Sequence, residues 1–437
     1  MKTSLETFDE HALASLPEAA AFTGSLRRRA LDAFMTLPMP SPETEEWRYT
    51  DLLDFDLAFA PYASGGRATS LDDVPGEIQR EAGDIGDRAG LLIQHNSDVM
   101  LGHLDPSLAS QGVIFTDLDA AAAEHPDLVA DSLHTLVPAD RTRFTALHAA
   151  FRTGGTFLYV PKDTKVDLPL QTLVYLDADG AAVFPHTLIV AEAGSEVTFI
   201  ERWTSPELTR AFSDAVTEIH VGDGAHVRYA AIQDWGAGVT HLGIQRANVG
   251  RDAEFRTLSV GFGADLARTE TEVVLGEPGG FSEQLGVFFA DLEQHFDHRS
   301  IQDHVAPNCR SDLLYKGALR DHSRAVYSGW VYVRPGAQKT DAMQTSRNVV
   351  LSEHAKADAI PNLEIEANDV KCGHAASVGP VDDDAVFYLE SRGIPHDEAE
   401  RLIVSGFFQE VLDRVQIQEV REGAEAAIDA ELERGVR

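Results

Sequence analysis

The chain has 437 residues, with 36 basic and 71 acidic side chains and a formal net charge of −35 at neutral pH. That balance disfavours a duplex-binding surface or a polybasic membrane anchor. Two cysteines, Cys309 and Cys372, exclude a disulfide-rich scaffold and a four-cysteine metal site within one chain.

A hydrophobic fraction of 43% is enough to bury a sizeable core, and at roughly 100–200 residues per domain the length accommodates two to four domains. Only seven of the basic residues are lysines. Abundant Asp and Glu with little Lys is the composition of a halophilic protein, in which high salt screens self-repulsion at short range. Met1–Glu10 is polar and without an apolar core, and apolar windows such as Leu188–Ala193 are too short to span a bilayer. The expectation is a soluble, cytoplasmic chain with reduced thiols.

Taken in order, Pro17–Met35 reads as a helix with Leu26, Ala30, Leu31 and Phe34 on one stripe, ended by Pro38, Pro40 and Pro42. Residues 61–90 read as a loose connection, Val113–Phe115 as a short buried strand, and Asp117–Glu124 and Arg141–Arg152 as helices. From Gly154 to about Ile365 the texture changes to short runs alternating apolar and polar residues, as in Thr156–Val160, Glu196–Ile200, His226–Ile232 and Ala325–Val333. No helical stripe interrupts them, which excludes a doubly wound α/β sheet. A repeat runs through this region. Glycines 194, 222, 250 and 276 lead successive strands at spacings of 28, 28 and 26 residues. A fixed period of that size suggests stacked units of a β-solenoid, slightly ahead of a sandwich or jelly roll.

From about Asp382 the pattern is helical again. Ala385–Ser391 is closed by Gly393 in the C′ role, and Pro395 starts a helix with Ala399, Leu402, Ile403, Gly406, Phe407, Val411, Leu412 and Val415 on one face. Arg421–Arg434 reads as a third, more polar helix without an obvious core stripe. Asp397, Glu398, Glu400 and Glu410 give the second helix the wrong charge to read DNA. Four large apolar residues there, Leu402, Ile403, Phe407 and Phe408, exceed what one flank of a β region needs to bury, so they are expected to form or support a docking surface for a partner protein.

Chemistry is sparse. No P-loop and no Gly-x-Ser-x-Gly elbow occurs. His295, His298, His304 and Cys309 fall close together, and imidazole and thiol ligands at close spacing can hold a transition metal, but the spacing matches no closed zinc site. The plainer reading is hydrogen-bonded histidines. Lys371-Cys372-Gly373-His374 places a thiol and an imidazole two residues apart, on one face of an extended segment. The pair could supply two ligands of a soft-metal site completed by another chain; a buried small thiol with a capping histidine is the alternative.

Leu363–Gly379, with its core Asn368-Asp369-Val370-Lys371-Cys372-Gly373-His374, resembles the signature of the SufD family, scaffolds of the SUF iron–sulfur cluster assembly system. Phe387-Tyr388-Leu389-Glu390-Ser391-Arg392-Gly393-Ile394, Tyr315-Lys316-Gly317, Gly336–Asp341, Gly155–Lys162 and Glu46–Thr50 also fit, so the resemblance covers nearly the whole chain. The sister SufB family carries His-Glu-Ala-Thr where this chain has His374-Ala375-Ala376-Ser377, and a cluster-building cysteine upstream where His354–Asp358 has none. Ala375 replaces the glycine usual in SufD.

The resemblance implies a right-handed parallel β-helix (141–378) between an N-terminal helical or mixed domain (1–140) and a C-terminal helical domain (379–437). It implies a non-catalytic scaffold acting with a SufB-like scaffold and a SufC-like ATPase, carrying a transient iron–sulfur cluster shared with the partner. His374 is then the metal ligand near the scaffold–scaffold interface, with Cys372 beside it. The different-class alternative is a β-helix carbohydrate-active enzyme, a lyase or esterase, which would need a ladder of acids and bases along a groove; none is found. A cupin-like metal enzyme, third, would rest on the His295–Cys309 cluster alone.

Overall fold

The computed structural model describes residues 7–53, 55–83 and 87–434. The helices are α1 (Glu10–Ala14), α2 (Ala21–Thr36), α3 (Gly76–Ala82), α4 (Pro106–Ser110), α5 (Leu118–Glu124), α6 (Pro126–Ala130), α7 (Arg143–Phe151), α8 (Asp383–Ser391), α9 (His396–Leu412) and α10 (Gln418–Arg434). The strands are β1 (Gly90–His95), β2 (Asp98–Leu104), β3 (Ile114–Asp117), β4 (Thr156–Val160), β5 (Leu170–Tyr175), β6 (Ala182–Val183), β7 (His186–Ala191), β8 (Glu196–Thr204), β9 (Ala211–Val221), β10 (His226–Asp234), β11 (Val239–Val249), β12 (Glu254–Gly261), β13 (Leu266–Leu275), β14 (Phe281–Ala290), β15 (His295–His304), β16 (Arg310–Leu319), β17 (Arg324–Val333), β18 (Asp341–Val350), β19 (Lys356–Ile365) and β20 (Lys371–Pro380).

These strands form two sheets. One runs β2-β1-β5-β8-β10-β12-β14-β16-β18-β20, the other β19-β17-β15-β13-β11-β9-β7-β4-β3, with β6 beside β9. From β7 onward the chain alternates between the sheets, and from β9 onward each strand pairs in parallel with the strand two before it. This is a parallel β-helix. Glu196, His226, Glu254, Phe281, Arg310, Asp341 and Lys371 stand in one column on seven successive rungs.

The rungs share a corner. Asp163, Gly194, Gly224, Asp252, Gly279, Asn308 and Lys339 all have φ between 52° and 81°, each two residues before its strand or bridge. Their amides donate rung to rung, as from Gly194 to Asp223 O, Gly224 to Arg251 O and Asn308 to Gln338 O. Gly222 and Gly250 belong to a neighbouring column, where a Cβ would come within 2.7 Å of Ala193 N or 2.8 Å of Asp223 Oδ1. Gly194 therefore aligns with Gly224, not with Gly222; the 28-residue step between 194 and 222 joins two columns of one corner.

Sequence alternation becomes inside and outside. On β4 and β7, Leu158 and Ile189 face the interior core while Phe157 and Leu188 face α5 and α6. The outer face of one sheet, with Phe184, Phe212 and Leu242, is covered by α2 and α7. That of the other, with Leu258, Val260, Leu285, Val287 and Leu314, is covered by α9 and α10.

Several elements differ from expectation. Helix α2 starts at Ala21: Pro17 to Ala20 is not helical, and Pro17 O accepts from Arg27 Nη1. Residues 61–90 include α3, whose Ile78 and Ala82 pack under β1 and β5. The first 140 residues also supply β1 and β2 to the sheets, beside β3, which overlaps the strand expected at Val113–Phe115. Helix α10 does have a core stripe, Val420, Ala424, Ile428 and Leu432, spaced by four among acids.

The two ends of the helix are unlike. At the first, the chain doubles back: β1 pairs β2 and β3 pairs β4 antiparallel. At the other, β19 and β20 are the terminal strands of both sheets, and almost every residue on them is half-buried or exposed.

Candidate functional site

The His295–Cys309 cluster does not form a metal centre. His295 lies on the outer face of its sheet, with Nε2 3.1 Å from Thr50 Oγ1. His298 points inward between Phe288 and Phe296, its Nδ1 2.9 Å from Thr269 Oγ1. His304, also inward, meets Ser311 Oγ at 2.8 Å. Burial pushes the His298 and His304 rings down to about 4, so both stay neutral. Cys309 occupies the corner position held on other rungs by Ser195, Ala225, Ala253 and Thr340, all nearly inaccessible. A small side chain is what that corner needs. Its thiol, raised by burial, donates to Glu277 O.

Cys372 and His374 lie on β20, the final rung. Cys372 pairs in register with Ala342 and His374 with Gln344, both inward-facing residues of β18. Cys372 packs against Val331, Val333, Ala337, Ala342 and Ala367. Alternation puts His374 on the same face, but no further rung covers it, and it is exposed. Ile365 and Val378, 41% and 44% accessible, mark the same open end. Burial pushes the Cys372 thiol up, so a metal taken by its sulfur must first displace a proton. The arrangement leaves one imidazole and one half-covered thiol at an unpaired edge.

The helix α9 residues divide. Phe408 is fully buried, Ile403 and Phe407 are half-buried against the helical core, and Leu402 is 44% exposed. Of the four, only Leu402 is exposed, and Phe408 belongs to the core. Phe387 and Tyr388 on α8, which is packed through Val386, are 69% and 57% exposed. Lys316 fixes this unit to the β-helix: its Nζ donates to Phe407 O at 2.6 Å, lies 2.6 Å from Glu410 Oε2 and sits over the Phe407 ring. Arg414 adds pairs to Glu283 and Asp312 at 2.6 and 2.7 Å. No described helix is long and apolar enough to cross a membrane.

Among the described residues, the one set of three or more His, Cys, Asp or Glu side chains able to share a metal ion is elsewhere: His134, His186 and Glu218. Sequence reasoning missed it, since the three come from separate segments with no common spacing.

The sequence matches the family described as SUF system FeS cluster assembly, SufBD core domain, over residues 174–407, and the SufBD protein N-terminal region over residues 88–172. The iron-sulfur cluster assembly protein SufD of Bacillus subtilis (strain 168) is 33% identical over 416 residues, 94% of each chain. An iron-sulfur cluster assembly SufBD family protein of Staphylococcus epidermidis (strain ATCC 12228 / FDA PCI 1200) is 31% identical over 91% of this chain and 86% of its own. One of Mycobacterium tuberculosis is 38% identical over 306 residues, 68% of this chain and 75% of its own. The family match over more than half of the chain, and the near full-length likeness to a SufD protein, leave the carbohydrate-active alternative without support: the chain belongs to the SufBD family and is a SufD-type, non-catalytic scaffold subunit of the SUF iron–sulfur cluster assembly system.

Proposed function

We propose that this chain works in the cytoplasm as one half of a two-scaffold platform, with a SufB-like chain docked on its open final rung and a SufC-like ATPase on its C-terminal helices. A nascent iron–sulfur cluster is held transiently between the two scaffolds, with His374 as this chain's ligand and Cys372 beside it. The observation that carries the reading is the asymmetry of the β-helix. One end is closed by antiparallel strands, whereas the other presents two bare edges, exposed Ile365 and Val378, and the Cys372–His374 pair. A solenoid end without a polar cap needs a partner. Neutral imidazole ligates iron and leaves more readily than thiolate, which suits a cluster that is to be handed on. Two unpaired cysteines fit a reducing compartment.

The test is His374→Ala in a chain co-expressed with SufB-like and SufC-like partners. Iron and sulfide content should fall while the melting temperature holds, since an exposed edge residue contributes about 0.5 kcal/mol or less to folding. Full loading in the variant sinks the ligand role, and lost loading with a collapsed melting temperature assigns His374 to structure. For the ATPase surface, Phe387→Asp or Leu402→Asp should abolish co-purification. Removing residues from 382 onward is a poorer probe, because it uncovers Leu258, Val260 and Leu285.

A further inference from the structure

We propose that His134, His186 and Glu218 bind one divalent transition-metal ion of the zinc and ferrous class, in a buried site separate from the Cys372–His374 edge. His134 comes from the loop between α6 and α7, His186 from the start of β7, and Glu218 from β9. Their donor atoms lie within 4.8 Å of one another, and His186 Nε2 is already 3.2 Å from Glu218 Oε2.

The positions of the ring protons carry the argument. The carbonyl of Asp214 lies 2.8 Å from His148 Nδ1 and can only accept, so His148 carries its proton there and presents a lone pair at Nε2. That lone pair, 3.0 Å from His186 Nδ1, takes the His186 proton. His186 is left with a lone pair at Nε2, facing a carboxylate oxygen. The same logic applies to His134, whose Nδ1 is 3.1 Å from the Val137 carbonyl. Its Nε2, like that of His186, is buried and without a hydrogen-bond partner.

Glu218 is held in place by three backbone amides. His134 N donates to Oε2 at 2.6 Å, and Leu136 N and Val137 N donate to Oε1 at 2.7 and 2.9 Å. Arg152, the nearby cation, pairs with Asp119 at 2.9 Å. Two imidazole lone pairs and a carboxylate thus converge where water is excluded, an arrangement that is repulsive until a cation enters. The ring nitrogens away from the site are tied to a carbonyl or to a carbonyl-anchored histidine, which is how metal-binding imidazoles are oriented. Two histidines and one carboxylate suit zinc or ferrous iron, with a fourth position left open. The ion would stitch the 134–137 loop to β7 and β9.

The competing occupant is a proton shared by His148 and His186, giving a buried imidazolium–carboxylate pair. Metal content of the full chain, purified without chelators and then equilibrated with Zn²⁺, anaerobic Fe²⁺ or Co²⁺, separates the two. The expected result is about one equivalent bound, d–d bands for the Co²⁺ form, and a higher melting temperature. His134→Ala and Glu218→Gln should weaken binding by ~10–100-fold, while His374→Ala retains it. The native metal content tells zinc from iron. A folded wild-type chain that takes up none of the three ions overturns the proposal, whatever the variants do. So does binding unchanged in both His134→Ala and Glu218→Gln.

Discussion

Glu201 lies between the sheets, where Thr187 Oγ1, Thr217 Oγ1 and Tyr229 Oη donate to its carboxyl group at 2.7, 3.2 and 2.5 Å. Burial outweighs those bonds and raises its pKa to about 7. The group therefore favours the folded state fully below the unfolded carboxyl value, and that contribution is lost as pH rises through about 7. Glu201→Gln keeps the size and most of the hydrogen bonds but cannot ionise. Relative to wild type, the variant should gain about 3 kcal/mol between pH 5 and pH 8, read by urea denaturation at both values; a difference that does not change with pH would count against the ionisation. Single residues were unevenly legible. The Cys372–His374 pair was readable because two residues on one strand share a face. The His134–His186–Glu218 set was not, because a loop, the start of one strand and the end of another meet only in three dimensions.

Helix α9 is held on the outer sheet face by its apolar stripe and by a cation rising from the strand beneath it. Lys316 is 3% exposed and serves a carbonyl, a carboxylate and an aromatic ring of this one helix. Lys316→Met keeps the buried stem and removes the charge, taking this donor from Phe407 O and leaving Glu410 only its pair with Arg347. The expected cost is about 2–3 kcal/mol, seen as earlier hydrogen exchange in α9 than in β14 and β16; uniform exchange would mean the apolar stripe suffices. At this scale the strands were legible from alternation, and the first corners from glycine. The last corners were not, because Asn308 and Lys339 adopt the same left-handed backbone without glycine. Helix α10 read as stripeless because one of its four core positions is only an alanine and the spacing of four is diluted by acids.

The whole molecule carries −35 on one compact body. Exposed ion pairs contribute at most ~1 kcal/mol each and weaken with salt, whereas self-repulsion falls everywhere as the screening length drops from ~10 Å at 0.1 M to ~3 Å at 1 M. Repulsion should dominate, so the melting temperature is expected to rise by several degrees between 0.1 and 1 M NaCl, and a flat or falling curve would show that the ion pairs win. The three-part plan was legible because composition changes with it; which sheet face each helical region covers was not, since either stripe fits either face. The closed end of the β-helix also precedes the open end along the chain, and this sets a direction for assembly during synthesis. Each emerging strand meets a finished edge about one rung back, so loop closure demands the same modest entropy at every step. The adhesive edge travels with the growing chain and comes to rest beside His374. Ribosome-arrested chains ending near residue 320 should therefore already protect β4 to β14 from protease; protection that waits for α9 and α10 would show that the covering helices, not the rungs, set the order.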